Sequence, residues 1–252
     1  MEIRGRQGHR VIIADTPQAV WQKAAELFTL SAAHAIAARG RFTTALAGGT
    51  TPQVLYELLA ADKYRQIISW EKVFIFWGDE RCVPPGHADS NYRMIADTLL
   101  SKVPIPASNI FKMYLGDEQP AAAAAAYEHT LMQFFGLNSD EKPCFDLILL
   151  GLGHDGHTAS LFPGSAAVNE ENALVSAAYV STLASYRLTL TLPVLNAAAR
   201  VVFLVTGDSK ASVLYDLVAD PDKCGIIPAK LVRPAGELLV LSDKQAAKYL
   251  LN

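Results

Sequence analysis

Short apolar runs alternate with helical patterns along the whole sequence, and this alternation constrains the fold more than any other feature. Val11–Ala14, Phe42–Ala47 and Val73–Trp77 are apolar runs of strand length. Such runs are typical of strands that helices cover on both faces of a parallel sheet. The alternation therefore predicts an α/β fold with a single doubly wound, mainly parallel sheet that is flanked by helices, as in Rossmann-like proteins.

The same rhythm continues to the end of the chain. Thr16 and Pro17 form a typical helix start, an N-cap followed by proline, for a helix that extends to about Arg39. Further helices are predicted at Pro52–Ala61, Ser90–Leu100, Pro120–Phe135, Ser209–Val218 and Lys244–Leu250. Further strands are predicted at Phe145–Leu150, Ala173–Val180, Leu188–Leu192, Val201–Thr206 and Leu238–Leu241. Because neither an internal repeat nor a linker rich in serine and glycine interrupts the sequence, residues 1–252 are expected to form one domain.

Composition and charge narrow the classes of protein to which the chain can belong. Of its 252 residues, 51% are hydrophobic and 19% are charged, which is typical of a globular protein. A formal net charge of −3 gives no general attraction for nucleic acid, and no apolar run approaches the roughly 18 residues of a membrane-spanning helix. The N-terminus lacks the apolar core of a signal peptide. We therefore expect a cytoplasmic monomer or small homo-oligomer without nucleic-acid or membrane partners.

The spacing of cysteine and histidine residues does not indicate a metal site. Cys82, Cys144 and Cys224 are odd in number and far apart, so neither a disulfide framework nor a structural zinc site is expected. The histidines show no His-x₃-His or His/Cys spacing. The sequence therefore predicts a protein without a metal ion.

Polar loops follow four of the predicted strands. These loops are Gly48–Pro52, Gly78–Arg81, Gly151–His157 and Thr206–Lys210. In doubly wound folds, ligands bind beyond the carboxyl ends of the strands. We therefore expect the four loops to converge on one site.

The first of these loops combines two glycines and two threonines before a helix whose predicted first residue is Pro52. Gly48 and Gly49 allow backbone N–H groups to approach an anion, while Thr50 and Thr51 supply hydroxyl donors. The Gly-Lys-Ser/Thr ending of a nucleotide-binding P-loop is missing. From these residues alone, a phosphate-binding loop and a tight turn with a helix cap are equally compatible with the sequence.

The glycine spacing Gly-x-Gly-x-x-Gly that begins at Gly151 matches the pattern of dinucleotide-binding proteins. That motif requires a helix to begin within the loop, with its N-terminus directed at the pyrophosphate. Here Pro163 and Gly164 would stop any helix about two turns after the third glycine. A dinucleotide site is therefore the weaker of two interpretations of this loop.

A catalytic role is the stronger interpretation of the same loop. His157 carries an imidazole, whose ordinary pKa of roughly 6.5 suits proton transfer at neutral pH. Asp155, two residues earlier, is suited to orient the imidazole or to bind a substrate hydroxyl. A surface histidine beside a turn aspartate is the alternative, but the position directly after a buried strand favours catalysis.

Charged residues near the other loops are candidates for substrate binding. Arg81 offers a planar fork for an anion, and Asp79 offers a carboxylate near the reacting carbon. Lys210, in the first turn of a predicted helix, and Arg187, just before a predicted strand, could together clamp one phosphate with the Gly-Gly-Thr-Thr loop. Each of these residues is also compatible with a solvated surface charge, and the residues alone leave both interpretations open.

In these loops the sequence resembles the 6-phosphogluconolactonase family, within the larger group that contains glucosamine-6-phosphate deaminases and ribose-5-phosphate isomerases. The strongest match is Gly151–Pro163, whose second half, Thr158–Pro163, is similar to the lactonase version of the motif rather than the deaminase version. The other matching segments, in the family's order, are Ala47–Pro52, Trp77–Pro84, Asp89–Tyr92, Arg187–Thr191, Thr206–Lys210 and Pro228–Leu231.

This resemblance implies a hydrolase of the oxidative pentose phosphate pathway that converts 6-phospho-D-glucono-1,5-lactone to 6-phospho-D-gluconate. It implies that His157 is the general base that activates water, with Asp155 nearby, and that neither a cofactor nor a metal is required. Asp79, in the matching segment Trp77–Pro84, is a further catalytic candidate. It places the phosphate near Gly49, Thr50, Thr51, Arg187 and Lys210 and makes Arg81 a substrate contact. Gly48 and Asn91, which lie in matching segments, are further candidate binding residues.

Three other functions are weighed against this one. They are an aldose–ketose deaminase or isomerase on the same fold, a non-catalytic sensor of sugar phosphates, and the dinucleotide-binding protein considered above. A sensor would use Lys210 and the Gly-Gly-Thr-Thr loop but would have no need of His157. The combination of His157 with Asp155 and Asp79 favours an enzyme.

Overall fold

The computed structural model describes residues 1–5, 9–219 and 227–251, in which two β-sheets are formed. The strands are β1 (Glu2–Arg4), β2 (Arg10–Ala14), β3 (Phe42–Leu46), β4 (Val73–Trp77), β5 (Asp79–Arg81), β6 (Leu147–Leu150), β7 (Val175–Val180), β8 (Ser185–Leu190), β9 (Arg200–Val205) and β10 (Glu237–Asp243). The α-helices are α1 (Pro17–Arg39), α2 (Thr50–Leu59), α3 (Asp62–Arg65), α4 (Asn91–Ile95), α5 (Pro120–Phe135), α6 (Leu192–Ala197) and α7 (Ala211–Ala219). Among the described residues, no helix combines the length and the apolar character needed to cross a membrane.

The central sheet has the strand order β1-β2-β10-β9-β6-β3-β4. β1 pairs antiparallel with β2, whereas every other pair of neighbouring strands in this sheet is parallel. All residues of β3 and β6 are buried, as expected for the central strands of a sheet that is flanked by helices. The predicted α/β fold with a mainly parallel sheet is therefore confirmed.

Helix α1 begins and ends where the sequence predicts. The hydroxyl of Thr16 accepts a hydrogen bond from the backbone N–H of Ala19 at 3.3 Å, and Pro17 is the first helical residue. Gly40 ends the helix with a φ of 75°, a left-handed conformation that costs glycine little. The buried side of the helix, which includes Val20 and Phe28, packs into the hydrophobic core.

The strands predicted at Ala173–Val180 and Leu188–Leu192 belong to a second sheet and not to the single sheet that the sequence predicts. β5, β8 and β7 make a small antiparallel sheet in that order, and β5 lies in a segment that is predicted to be a loop. The chain changes sheets at Gly78, whose N–H donates to the carbonyl of Leu46 in β3 and whose carbonyl accepts from the N–H of Leu190 in β8. This change of partner depends on long-range pairing, which apolar periodicity alone does not reveal.

Two of the predicted helices are only partly α-helical. The predicted helix Ser90–Leu100 consists of α4 followed by a π-helical turn at Ala96–Leu100. The predicted helix Ser209–Val218 begins as a 3₁₀ turn at Asp208–Lys210 and continues as α7. Lys210 therefore lies in a 3₁₀ turn just before the α-helix rather than in its first turn.

The predicted helix Lys244–Leu250 is wrong, because this segment forms turns that end in a 3₁₀ helix at Lys248–Leu250. Asp243, at the end of β10, is fully buried. Its carboxylate accepts hydrogen bonds from the N–H groups of Gly207 at 3.1 Å and Ala246 at 2.8 Å. These contacts hold the chain in a turn, and the few residues that remain are too short for a stable α-helix.

Candidate active site

The loops after β3, β4, β6 and β9 meet at the carboxyl edge of the central sheet and enclose a cavity of about 620 Å³. Parallel strand order predicts this convergence, because it brings the carboxyl ends of the strands to one edge. Every residue that the sequence analysis selects for catalysis or binding lines this cavity: Gly48, Gly49, Thr50, Thr51, Asp79, Arg81, Asn91, Asp155, His157, Arg187 and Lys210.

His157 and Asp155 are hydrogen bonded to each other on the loop after β6. Nδ1 of the imidazole lies 2.5 Å from Oδ1 of the carboxylate, and the same oxygen accepts the backbone N–H of His157 at 3.1 Å. Burial alone would raise the pKa of Asp155, but these hydrogen bonds and the charge of the imidazolium hold it below its ordinary value. A carboxylate only accepts hydrogen bonds, so Nδ1 carries the hydrogen and Nε2 is left free to accept a proton.

The glycine spacing of this loop has a steric explanation that does not involve a dinucleotide. A Cβ atom on Gly153 would lie 2.1 Å from Nδ1 of His157 and 2.7 Å from Oδ1 of Asp155, so only glycine leaves room for the pair. Gly156 has a φ of +79°, and a Cβ there would lie 2.4 Å from the side chain of Ile227. No helix begins in residues 151–165 of the described chain. The structural context of the dinucleotide motif is therefore missing.

Asp79 is buried at the start of β5 and joins two other parts of the site. Its Oδ2 accepts the hydroxyl hydrogen of Ser160 at 2.7 Å, and its backbone carbonyl accepts the side-chain amide of Asn91 at 2.8 Å. Asn91 in turn lies against Gly48, where a Cβ atom would come within 2.0 Å of the Asn91 Oδ1 atom. These contacts fix the loops after β3, β4 and β6 relative to one another.

Glu80 organises the site from behind the cavity, a role that the sequence analysis misses. Its carboxylate accepts the backbone N–H groups of Arg81 at 2.8 Å and of Asn91 and Tyr92 at 2.7 Å, and the hydroxyl of Ser90 at 3.2 Å. Burial raises the pKa of Glu80, although the three N–H groups oppose that shift. The carboxylate thereby caps α4 and holds Asn91 at the cavity. The only sequence signal is an acidic residue ten positions before a Ser-Asn helix start, which does not reveal the contact.

The Gly-Gly-Thr-Thr loop places the N-terminus of α2 at the cavity. The helix begins at Thr50, two residues earlier than predicted, and Gly49 precedes it with a φ of 101°. The hydroxyls of Thr51 and Thr206 lie 3.2 Å apart, which links this loop to the loop after β9. Free N–H groups and the helix dipole make such a terminus a favourable place for an anion.

Three cationic side chains line the cavity, namely Lys210 after β9 and the pair Arg81 and Arg187 on the second sheet. Nζ of Lys210 donates to the carbonyl of Leu152 at 2.7 Å, and burial lowers the pKa of the lysine. Arg187 in β8 lies opposite Arg81 in β5, and burial together with the repulsion from Arg81 lowers its pKa. Arg81 also donates to the carbonyl of Asp89 at 2.7 Å. Bringing partly buried like charges together is costly, which indicates that the cavity is built for an anion.

The described residues include two free thiols and no cluster of metal-ligating side chains. Burial raises the pKa of Cys82 to about 11, so this free thiol stays protonated at neutral pH. Cys144 is also free, and Cys224 lies outside the described residues. Within residues 1–5, 9–219 and 227–251, no group of three or more His, Cys, Asp or Glu side chains is arranged to hold a metal ion.

Comparison with known proteins agrees with this geometry. The family model described as glucosamine-6-phosphate isomerases/6-phosphogluconolactonase matches residues 15–241. The chain belongs to this family of α/β proteins. Its relatives include a 6-phosphogluconolactonase of Synechocystis, which is 43% identical over 92% of this chain and 95% of the relative.

Two further relatives support the same placement. A 6-phosphogluconolactonase of Nostoc is 42% identical over 86% of this chain and 88% of its own length. Among solved structures, the 6-phosphogluconolactonase of Trypanosoma brucei has a TM-score of 0.85 and 30% identity, covering 95% of this chain and 98% of that one. In each of these three comparisons, the similarity covers at least 86% of this chain and at least 88% of the relative.

Proposed function

We propose that this protein hydrolyses 6-phospho-D-glucono-1,5-lactone to 6-phospho-D-gluconate, a step of the oxidative pentose phosphate pathway, with His157 as general base. The observation that carries the proposal is the His157–Asp155 pair in a cavity that also contains an anion-binding helix terminus and three cations. The lactonases among its relatives support the same reaction.

The chemistry begins with the free Nε2 atom of His157, which removes a proton from a bound water molecule. The water oxygen attacks the lactone carbonyl carbon, and the carbonyl electrons move to its oxygen. When that intermediate collapses, the bond between the carbonyl carbon and the ring oxygen breaks. The imidazolium then returns its proton to the ring oxygen, which leaves as a hydroxyl. Asp155 stabilises the imidazolium throughout, and general base catalysis of this kind contributes roughly 10²–10⁴-fold.

The remaining residues of the cavity bind and orient the substrate. Thr50 and Thr51, at the N-terminus of α2, hold the phosphate together with Lys210 and Arg187, because all four supply hydrogen-bond donors to an anion. The backbone N–H groups after Gly48 and Gly49 complete this cradle, since neither glycine has a side chain in the way. Phosphate binding fixes the distant lactone carbon relative to the base, which lowers the entropic part of the barrier.

Arg81, Asp79 and Asn91 line the same cavity and contact the sugar in this proposal. The guanidinium of Arg81 supplies positive charge for the oxyanion that develops on the carbonyl oxygen. Asp79, held by Ser160 and Asn91, accepts hydrogen bonds from sugar hydroxyls. We further propose that the chain acts as one domain in the cytoplasm, as a monomer or small homo-oligomer, without nucleic acid, metal or cofactor.

The deciding experiment is an assay on freshly generated lactone, with spontaneous hydrolysis subtracted at each pH. The proposal expects acceleration of lactone opening and no release of ammonia from glucosamine 6-phosphate. Ammonia release without lactone opening would identify a deaminase. Tight binding of 6-phosphogluconate without turnover of either substrate would identify a sensor.

A further inference from the structure

The ring of Phe162 stacks on the imidazole of His157. The two ring centroids lie 4.2 Å apart and the planes are inclined by 30°. Both side chains line the cavity and both are partly exposed. A partly exposed aromatic side chain beside a proposed general base requires a physical explanation, because an apolar ring gains less from burial here than in the core.

A tight turn brings Phe162 back over the imidazole. The backbone N–H of Leu161 donates to the carbonyl of Thr158 at 2.9 Å, and Ala159 between them has a φ of +48°. A left-handed conformation is unfavourable for alanine, so the surrounding structure must enforce it. Thr158 and Leu161 are fully buried, and the hydroxyl of Thr158 donates to the carbonyl of Gly151 at 2.9 Å. The position of Phe162 is therefore set by buried contacts.

The stacked ring of Phe162 contacts a face of the imidazole, whereas the contacts with Asp155 and Gly153 involve the edge formed by Nδ1 and Cε1. Asp155 holds Nδ1 at 2.5 Å, and Gly153 lies close to Nδ1 and Cε1. One hydrogen bond at Nδ1 does not by itself fix both χ1 and χ2 of His157, so the ring can tilt while Nδ1 stays near the carboxylate, which would move Nε2 away from a bound water. A ring stacked on the imidazole face opposes this tilt, because tilting would bring the two rings into collision.

We propose that Phe162 is a positioning residue for the general base: its ring sets the plane of the His157 imidazole and thereby the direction in which Nε2 accepts a proton. This inference rests on the proposed role of His157 in lactone hydrolysis. Phe162 acts on the rate of the chemical step and not on the binding of the phosphate, which is assigned to Thr50, Thr51, Arg187 and Lys210.

The test compares Phe162→Leu, which keeps an apolar side chain without a ring, with Phe162→Tyr, which keeps the ring. Misplacement of a catalytic group by about 1 Å can cost roughly 10²-fold in rate, so we expect Phe162→Leu to lower kcat by about 10- to 100-fold. KM and the thermal unfolding midpoint should change little. Phe162→Tyr should retain most of the activity, since its hydroxyl can extend toward solvent. A Phe162→Leu protein with unchanged kcat, or with a raised KM alone, would overturn the inference.

A double-mutant cycle with His157→Asn separates this inference from the proposed function. If Phe162 acts through His157, then Phe162→Leu should not lower the residual rate of His157→Asn any further. An equal loss in both backgrounds would show that Phe162 acts independently and would overturn the inference. If His157→Asn itself keeps full activity, the proposed base is wrong and the inference is wrong with it. If only Phe162→Leu keeps full activity, the proposed base stands and the inference alone is wrong.

An NMR measurement on the free protein checks the geometry without reference to activity. Aromatic rings shift the resonances of protons above their faces upfield, so the ring protons of His157 should move downfield in Phe162→Leu and stay in place in Phe162→Tyr. The His157→Asn protein identifies these signals among the six histidines of the chain. Unchanged His157 resonances in Phe162→Leu would mean that the stack is absent in solution, which would overturn the inference.

Discussion

Arg81 and Arg187 lie directly opposite each other in the antiparallel pair of β5 and β8, and both side chains reach the same cavity. Directly opposed residues of an antiparallel pair project from the same face, where like charges destabilise the sheet. Burial and this repulsion lower the pKa of Arg187. The arrangement stores unfavourable electrostatic energy in the free protein, and a bound anion would relieve it.

The first prediction concerns Arg187→Gln. Removing one charge of the pair should weaken binding of 6-phosphogluconate while leaving the free energy of unfolding of the ligand-free protein unchanged or higher. Calorimetric titration and thermal unfolding measure the two quantities. Arg65→Gln is a matched control, because Arg65 pairs with Asp62 on the surface, away from the cavity. A large loss of stability in Arg187→Gln, with affinity intact, would contradict the electrostatic argument.

The second prediction concerns Lys210, whose pKa burial lowers. The ammonium group is charged at pH values below its pKa, so affinity for 6-phosphogluconate should be highest in that range. The affinity should fall as the pH rises through the pKa of Lys210, and this fall should occur at a lower pH than the ordinary lysine value of roughly 10.4. Lys210→Ala should cost about 1–3 kcal/mol of binding free energy at neutral pH, the range for a hydrogen bond to a charged group. Product binding is the suitable readout, because the lactone itself opens quickly in alkali.

Two variants serve as controls for Lys210. Lys210→Arg keeps its charge at every accessible pH, so the alkaline loss of affinity should disappear even if the affinity itself changes. Lys244→Ala removes an exposed lysine that pairs with Asp15 and should bind product normally. If Lys210→Ala binds 6-phosphogluconate as tightly as the unmodified protein at neutral pH, Lys210 does not contact the phosphate.

The third prediction concerns His157→Asn. The asparagine retains a hydrogen-bonding group near Asp155 but cannot act as a base, so kcat should fall by about 10²–10⁴-fold while the product still binds. Each rate must be corrected for enzyme-free hydrolysis of the lactone. A near-normal kcat after that correction would place the base elsewhere, and Asp79 is then the next residue to test.

The fourth prediction compares two glycines of the loop after β6. Gly153→Ala introduces a Cβ within 2.1 Å of Nδ1 of His157 and should displace the imidazole, lowering kcat with little effect on the thermal unfolding midpoint. Gly151→Ala meets no protein atom within 4 Å, so it should leave the imidazole in place and retain a higher kcat than Gly153→Ala. Equal activities of the two variants would mean that the close packing around His157 has no bearing on the reaction.

The fifth prediction is that activity does not require a metal ion. Its motivation is the sequence, in which neither histidine nor cysteine has the spacing of a metal-binding motif. Exhaustive dialysis against a chelator should leave kcat unchanged. Loss of turnover on chelation, with recovery on addition of a divalent metal, would refute it.

Much of the fold follows from the sequence because its signals are local. Apolar runs such as Phe42–Leu46 and Leu147–Leu150 fix buried strands, and Thr16 with Pro17 fixes the start of α1. The common edge of the polar loops also follows, since parallel strands present their carboxyl ends together. The His157–Asp155 contact is local as well, because only one residue separates the two in the chain.

The remaining contacts could not be predicted from local sequence patterns, because each joins segments that are far apart in the chain and that only the tertiary structure aligns. The hydroxyl of Ser160 reaches Asp79 across 81 positions of the chain, and Arg187 meets Arg81 only because β8 pairs with β5 in a second sheet. The turns after Asp243 have the same origin, since a buried carboxylate held by Gly207 overrides a short helical pattern. Local sequence patterns determine which residues can form a strand, helix or loop. Only packing determines which of them touch, because a hydrogen bond or a stacked ring depends on a few ångströms of relative position.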